Sequence, residues 1–233
     1  MSIRSRLEIV ENKIAQACAR SGRERSSVLL IAVSKTKPIE DIQEAYEAGC
    51  RAFGENRVQE LLQKASAVDQ PLAWHLIGHL QVNKVKYLPG IATMIHSVDS
   101  EKLAQEINRQ VQKHQIKIDV LCEVNIAGEE SKFGIAPEQI PVFVKRISES
   151  CPNLNLKGLM TVAPRTSEPE ENRVYFRRMK QLLMEANAAL PANRQMTELS
   201  MGMSGDYEVA IEEGATMIRI GSAIFGSRDY DVT

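Results

Sequence analysis

The sequence is short of cysteine, of net charge and of long apolar runs, and each shortage excludes a class of protein. The cysteines are far apart with no CxxC pair, which disfavours a disulfide framework or a zinc ribbon and predicts free thiols: Cys18, Cys50, Cys122 and Cys151. The 29 basic and 30 acidic residues leave a formal net charge of -1, without the broad basic surface typical of nucleic-acid binding. The best apolar run, Val28 to Val33, is far shorter than the roughly 18 residues of a membrane span.

The N-terminal segment also lacks the apolar middle of an export signal, because charged side chains interrupt it at Arg4, Arg6, Glu8, Glu11 and Lys13. We therefore expect a cytoplasmic protein that binds neither membranes nor nucleic acid. Its 233 residues, 43% hydrophobic and 25% charged, can bury a large core without a metal or a disulfide. We predict a single domain over residues 1–233.

Short apolar runs alternate with amphipathic helical patterns along the chain, which is typical of a parallel sheet covered by helices. An additional N-terminal helix places Leu7, Val10 and Ile14 on one face. The strands are predicted at 28–35, 51–56, 73–80, 93–98, 119–126, 156–162, 198–203 and 215–221. This count favours an α/β fold, a single (β/α)8 TIM barrel. An open doubly wound sheet is the alternative, which the lack of a GxGxxG motif after the first strand weakens.

The first strand ends in Lys35, and in such a barrel the active site lies at the carboxyl ends of the strands. Strand alternation puts Lys35 on the same face as Val33, so a barrel-facing Val33 would bring the lysine into the barrel mouth. An amine held in an apolar wall is a nucleophile that can form a Schiff base with a carbonyl compound. The alternative is a strand-end lysine that reaches solvent.

The loops after strands seven and eight suit a phosphate group. SMGMSG, residues 200–205, offers hydroxyls and glycines, and Gly221 and Ser222 begin a short helix whose N–H groups can bind an anion. Arg219 shares strand parity with Met217 and is expected to face the barrel interior, where a guanidinium needs an acceptor. That acceptor could be a phosphate, a carboxylate or a ring nitrogen, and a structural ion pair is the alternative.

The lysine amine, the phosphate loops and the inward arginine together suggest pyridoxal 5′-phosphate. The lysine would take the aldehyde, the loops would take the phosphate, and Arg219 would face the pyridine nitrogen. Because an arginine does not give up its proton, that nitrogen would stay largely unprotonated and the cofactor would be a weak electron sink.

At these positions the chain resembles the pyridoxal phosphate homeostasis protein family, whose barrel is similar to the N-terminal domain of bacterial alanine racemase. The stretches that carry the resemblance are IAVSKTKP, FGENRVQE, WHLIGHLQVNK, HSVDS, VNIAGEESKFG, GLMTV, LSMGMSGDYEVAI and GATMIRIGSAIFG. By this resemblance Lys35 is the Schiff-base lysine, Arg219 faces the pyridine nitrogen and Asn56 lies near the cofactor ring. The positions that match the phosphate-holding residues are Ser200, Ser204, Gly221 and Ser222.

The resemblance implies a monomeric, cytosolic protein that binds pyridoxal 5′-phosphate without an established reaction. Such a protein would buffer the cofactor or deliver it to apo-enzymes, would meet amino acids as further ligands, and would affect amino-acid and keto-acid balance. We expect this carrier role first, a racemase-type enzyme of low activity second, and a phosphate-binding barrel enzyme without the cofactor third.

Racemisation on this fold needs a second base across the ring from the lysine, and in alanine racemase a tyrosine of the partner subunit supplies it. Tyr207 is the only tyrosine here that follows a strand closely enough to approach the mouth, and a place on a surface helix is the alternative. With one base and a weak electron sink, efficient racemisation is not expected.

Two further patterns are interpreted as structural. His75 and His79 stand four residues apart, as in a zinc-binding helix, but the motif lacks the glutamate of HExxH and lies in a predicted strand. The charged helix that contains RVQELLQK, residues 57–64, is interpreted as a solvated barrel exterior.

Overall fold

Eight parallel strands close into a barrel, and each strand pairs with its neighbours along the chain. The structure, a computed structural model, describes residues 1–226. The strands are β1 Leu29–Val33, β2 Ala52–Glu55, β3 Ala73–Leu76, β4 Met94–Val98, β5 Ile118–Glu123, β6 Leu154–Met160, β7 Glu198–Ser200 and β8 Met217–Ile220. The predicted (β/α)8 barrel is confirmed, with β8 pairing to β1. Residues 227–233 of the predicted domain lie outside the described residues.

Helices cover the outside of this barrel. They are α1 Ile3–Arg20, α2 Ile39–Glu47, α3 Val58–Ala67, α4 Glu101–Lys113, α5 Ile140–Ser150, α6 Arg173–Ala188, α7 Tyr207–Glu212 and α8 Ser222–Phe225, with a 3-10 helix at Val82–Tyr87. The additional helix α1 is capped at its N-terminus by Ser2, whose Oγ accepts a hydrogen bond from the Ser5 N–H at 3.1 Å. It buries Leu7, Val10 and Ile14 as predicted, and it packs against α7 and α8.

The strands are buried on both faces because one apolar layer lies inside the barrel and another outside it. Inside, Met94, Met160 and Met217 pack with Ile31 and Leu121. Outside, a larger apolar cluster fills the space between the strands and the helices. This double burial explains why the strand sequences are apolar runs and not alternating patterns. Towards the carboxyl ends of the strands, polar side chains replace the interior methionines.

Except for β4, the predicted strands run past the observed ones at their carboxyl ends. β3 ends at Leu76 and not at residue 80, and β7 ends at Ser200 and not at residue 203. The extra residues leave the ladder and build the barrel mouth. Gly78, for example, passes so close to Asn56 that a Cβ on it would lie 2.4 Å from the Asn56 carbonyl oxygen.

The four cysteines are free, as predicted, and all four are buried. Within residues 1–226 no helix is both long enough and apolar enough to cross a membrane.

Candidate cofactor site

The predicted lysine, arginine and glycine lie on adjacent strand ends. β1 lies between β8 and β2, and its Ile31 stands beside Arg219. Ile31 faces the barrel interior, so Val33 and Lys35 follow it on the same face. Val33 also lies against the end of β8, since a Cβ on Gly221 would lie 3.4 Å from the Val33 carbonyl oxygen. The ends of β8 and β1 therefore form one continuous side of the mouth.

Asn56 extends this side onto β2. It is half-buried just beyond the strand. It alternates with Gly54, where a Cβ would lie 3.0 Å from the inward-facing Ile31 side chain, so Asn56 continues the interior-facing set. The structure thus brings Asn56 to the same part of the mouth as Lys35.

Lys35 itself is half-buried where the chain leaves β1. The next residue, Thr36, has a φ of 64°, a left-handed conformation that is strained for a β-branched side chain. The Thr36 N–H donates to Glu60 Oε1 at 2.5 Å, and this bond holds the turn. The neighbouring amine, Lys37, donates to the carbonyl of Phe225 at 3.1 Å. The turn therefore separates two lysines that stand close in sequence.

A largely buried cluster of charged and polar groups lies behind this turn, on the helix side of β1 and β2. Its members are Ser34, Glu55, Glu60 and Lys64, and we call it the outer cluster. Lys64 Nζ donates to Glu55 Oε1 at 2.8 Å, to Glu60 Oε1 at 2.7 Å and to the Ser34 carbonyl at 2.7 Å. Ser34 Oγ donates to the same Glu55 oxygen at 2.6 Å.

The outer cluster corrects the interpretation of α3 as a solvated exterior. That interpretation is wrong at Lys64, which is only 5% exposed. The ammonium can be buried because the Glu55 and Glu60 carboxylates offset its desolvation. Burial raises the pKa of the Glu55 carboxyl, while the hydrogen bonds from Lys64 and Ser34 oppose that rise. The cluster joins α3 to the ends of β1 and β2 and, through Glu60, to the turn after Lys35.

The loops after β7 and β8 meet at the start of α8. Ser204 Oγ accepts hydrogen bonds from the backbone N–H groups of Gly221 and Ala223, both at 3.3 Å. Ser222 is exposed in the same turn. Three of the predicted phosphate residues, Ser204, Gly221 and Ser222, are therefore brought together around two N–H donors that converge on one acceptor.

Arg219 is 4% exposed and points into the barrel interior, as its strand parity predicts. Its guanidinium donates to Ser200 Oγ at 2.5 Å and to the Thr161 carbonyl at 2.7 Å. Burial lowers its pKa to about 10, and the nearby Glu123 opposes that decrease, so the group stays charged at neutral pH. Among residues 1–226, the acceptors of its hydrogen bonds are a hydroxyl and a carbonyl and not a carboxylate, which does not match the ion-pair alternative.

This arginine begins a hydrogen-bonded chain across the barrel interior. Ser200 Oγ lies 3.0 Å from His96 Nδ1, and His96 Nε2 lies 2.9 Å from His75 Nδ1. We call Arg219, Ser200, His96 and His75 the interior relay. Burial lowers the pKa of His75 to about 4 and holds the pKa of His96 well below its usual value, so both rings are neutral at neutral pH.

Ser200 therefore has different partners from the other predicted phosphate residues. Its hydroxyl is fully buried between Arg219 and His96, whereas Ser204 contacts the start of α8. A phosphate contact of Ser200 stays a prediction.

The two histidines of the HLIGH motif do not share a partner. His75 belongs to the interior relay. His79 Nδ1 lies 3.2 Å from Asp99 Oδ2, and its ring stacks on Phe133 with centroids 3.8 Å apart. These separate partners agree with the structural interpretation of the motif.

Two features of the mouth are missing from the predicted site residues: the relay histidines and Glu123. Glu123 Oε2 is buried and has no hydrogen-bond partner among residues 1–226. Burial first and Asp99 second raise the pKa of this carboxyl to about 7, against the effect of Arg219. Strand parity carries the signal, because Glu123 alternates with the interior Leu121 and His96 with the interior Met94.

Tyr207, the candidate second base, begins α7 and is 5% exposed. Its side chain belongs to the apolar layer outside the barrel, where α7 packs against α1. Tyr207 therefore lies on a helix outside the barrel, in line with the surface-helix alternative, but its side chain is buried there and does not belong to the interior cluster. Burial raises the pKa of its phenol to about 12, which makes it a poor base at neutral pH.

The sequence matches the family model described as alanine racemase, N-terminal domain, over residues 7–229. The pyridoxal phosphate homeostasis protein of Aquifex aeolicus is 47% identical to it over 235 residues, 99% of this chain and 100% of that relative. This chain belongs to the pyridoxal phosphate homeostasis protein family. A family member from Pseudomonas aeruginosa is 43% identical, over 95% of this chain and 94% of its own.

A solved structure of PipY from Synechococcus elongatus, described as having pyridoxal phosphate bound, superposes with a TM-score of 0.80. It is 36% identical, and the match covers 91% of this chain and 100% of that one. The resemblance to the pyridoxal phosphate homeostasis protein family that the motifs indicate is thus confirmed over nearly the whole chain.

Proposed function

We propose that this protein binds pyridoxal 5′-phosphate through Lys35 and acts in the homeostasis of that cofactor, by buffering or delivery, and not as an efficient catalyst. One observation carries the proposal: a half-buried amine, a buried guanidinium and two converging N–H donors occupy adjacent strand ends of one barrel mouth. The family name and the description of PipY, which names the same cofactor, support it.

The groups present fit the parts of this cofactor. A phosphate could replace the Ser204 hydroxyl as the acceptor for the N–H groups of Gly221 and Ala223, with Ser204 and Ser222 as further donors. Arg219 and Asn56 are the residues that would contact the pyridine ring. Bound there, pyridoxal 5′-phosphate would supply an aldehyde, and Lys35 would hold it covalently through its amine, with one water released.

The residues of this chain favour holding the cofactor over using it. Arg219 keeps its proton at neutral pH, so it can donate a hydrogen bond to a ring nitrogen without protonating it. Tyr207 lies in the outer layer as a neutral phenol. Besides Lys35, racemisation would need a strong electron sink and a second base. Arg219 opposes the first, and Tyr207 does not supply the second.

The proposal also covers the location of the protein, its oligomeric state and its partners. The protein would act as a cytoplasmic monomer, and its ligands besides the cofactor would be amino acids that compete for the aldehyde. The recipients would be apo-enzymes that depend on pyridoxal 5′-phosphate.

The binding proposal is tested by titrating the purified protein with pyridoxal 5′-phosphate and following absorption. We expect a new, saturable band in the wild type that is lost in Lys35→Ala and kept in Lys37→Gln. Pyridoxal without the phosphate should bind far more weakly, because the N–H donors of Gly221 and Ala223 then have no anion. An unchanged spectrum in the wild type would contradict the proposal.

The carrier role is distinguished from a racemase by deuterium exchange at the α-carbon of added amino acids, measured beside cofactor transfer to an apo-enzyme. We expect transfer with negligible exchange. Rapid exchange that Lys35→Ala abolishes would instead support the racemase-type enzyme.

A further inference from the structure

The interior relay is a continuous series of buried hydrogen bonds that starts at Arg219, the arginine of the candidate site. All four members are 4% exposed or less. The heavy-atom distances along the series are 2.5, 3.0 and 2.9 Å. Arg219 is also held from a second direction by the Thr161 carbonyl at 2.7 Å. Two fixed acceptors on one planar guanidinium define its plane as well as its position.

The chemistry of arginine decides the direction of every bond in this series. A guanidinium only donates, so Ser200 Oγ must accept from Arg219. The hydroxyl hydrogen of Ser200 then needs an acceptor, and the ring nitrogen beside it is His96 Nδ1. If His96 Nδ1 carried a hydrogen instead, the buried hydroxyl hydrogen would be left without an acceptor at this site, which is costly.

The direction continues to the end of the series. With Nδ1 as an acceptor, neutral His96 must carry its hydrogen on Nε2 and donate it to His75 Nδ1. His75 in turn must carry its hydrogen on Nε2. Burial disfavours a second proton on either ring, and the charge on Arg219 disfavours it further at His96.

We propose that the interior relay runs in one direction, from Arg219 to His75, and that its serine and histidines are positioning residues for the guanidinium. The positioning role rests on the proposed function, because the group that the guanidinium would face is the pyridine ring of the cofactor. The direction of the relay does not rest on it. The proposal assigns the Ser200 hydroxyl to Arg219 and His96, which leaves the phosphate to Ser204 and the start of α8.

The direction is tested by long-range 1H–15N NMR of the histidine side chains in the full-length protein without added cofactor. We expect His75 and His96 both to be neutral with the hydrogen on Nε2. His75→Gln and His96→Asn, each missing one signal, assign the two rings. A hydrogen on Nδ1 of His96, or a doubly protonated ring at neutral pH, would overturn the direction of the relay.

The positioning role is tested with two substitutions at His96 and one at Ser200. In His96→Asn the amide oxygen can still accept from Ser200, whereas His96→Leu removes that acceptor. We expect His96→Leu and Ser200→Ala to weaken binding of pyridoxal 5′-phosphate about tenfold or more, and His96→Asn to stay much closer to the wild type. Thermal unfolding of the cofactor-free variants shows whether any of them has lost its fold.

A second readout separates positioning from general damage. With 15N-labelled pyridoxal 5′-phosphate bound, the chemical shift of the ring nitrogen should move in His96→Leu and Ser200→Ala and should be restored in His96→Asn. Wild-type affinity and an unmoved ring-nitrogen signal in folded Ser200→Ala would overturn the positioning role. If the wild type binds no cofactor, the proposed function fails along with that role, and the tautomers still decide the direction of the relay.

Discussion

The interior relay and the outer cluster are two buried polar networks beside the same barrel mouth, and they are built from opposite chemistry. The relay has one charged member, Arg219, and continues through neutral hydrogen-bonding groups. The outer cluster has the Lys64 ammonium between two carboxylates. The relay starts at Arg219, and the outer cluster holds the turn after Lys35. The relay depends on its two histidines remaining neutral, whereas the outer cluster depends on the charge of Lys64 at its centre.

The two networks should therefore respond to pH with opposite signs. Burial lowers the pKa of His75 from 6.5 to about 4, so the unfolded chain binds the extra proton first and stability falls as the pH decreases from 6.5 to 4. Burial raises the pKa of Glu55 above 4.5, so the folded state retains its proton longer and stability from this group falls as the pH rises above 4.5.

The largest effect is expected from Lys64→Met, which removes the central charge of the outer cluster. Glu55 then loses its buried partner, and loss of one member of a buried pair costs about 3–5 kcal/mol in the free energy of unfolding. The measurement is urea denaturation. Lys13→Met is the matched control, since Lys13 forms an exposed pair with Glu208 at 3.4 Å and should cost less than about 1 kcal/mol.

A double variant sharpens this prediction. Lys64→Met combined with Glu55→Gln removes both charges and should be more stable than Lys64→Met alone. If the single variant unfolds at the wild-type urea concentration, the outer cluster does not stabilise the fold as described.

The next largest effect is expected in acid, where the buried His75 of the interior relay lowers the stability of the fold. The shift in the pKa of His75 corresponds to about 3 kcal/mol of stability, lost between pH 6.5 and 4. His75→Gln should lose correspondingly less over that range when urea denaturation is compared at both ends. His114→Gln is the control, because that histidine is exposed. Equal acid sensitivity of His75→Gln and the wild type would mean that His75 is not a source of it.

The smallest effect is expected at the turn that the outer cluster holds. Thr36→Asn places a residue that tolerates the left-handed region at a φ of 64° and should stabilise the fold by up to about 1 kcal/mol. The contact with Glu60 uses the backbone N–H and is kept. Thr93→Asn, at an exposed position with negative φ, is the control. A loss of stability at Thr36→Asn, measured by thermal unfolding, would show that the side chain matters more than the strain.

Much of the fold follows from the apolar runs, because a doubly buried strand requires them and few other structures do. The carboxyl ends of the strands cannot be predicted from these runs. The residues after Leu76, for example, continue the apolar pattern but leave the sheet and form the barrel mouth. The order of Lys35, Arg219 and the α8 loop around one mouth follows from strand parity and the barrel topology together.

The outer cluster and the relay are harder to predict. Lys64 lies in a helix whose pattern is typical of a solvated face, and its burial is explained by the tertiary contacts of its ammonium with Glu55 at the end of β2 and with the Ser34 carbonyl. The link from His75 to Ser200 joins the consecutive strands β3 and β4 to β7, which lies three strands further along the chain. Local patterns place each of these residues on a face but do not say which faces meet.

Borohydride reduction of the protein mixed with pyridoxal 5′-phosphate, followed by peptide mapping, shows which lysine holds the cofactor. Reduction fixes the cofactor on the amine that holds it, and fragmentation distinguishes Lys35 from Lys37 within the same segment. We expect one pyridoxyl group per chain, on Lys35, and none in Lys35→Ala. A label on Lys37 or on another lysine, or no label on the wild type, would contradict that expectation.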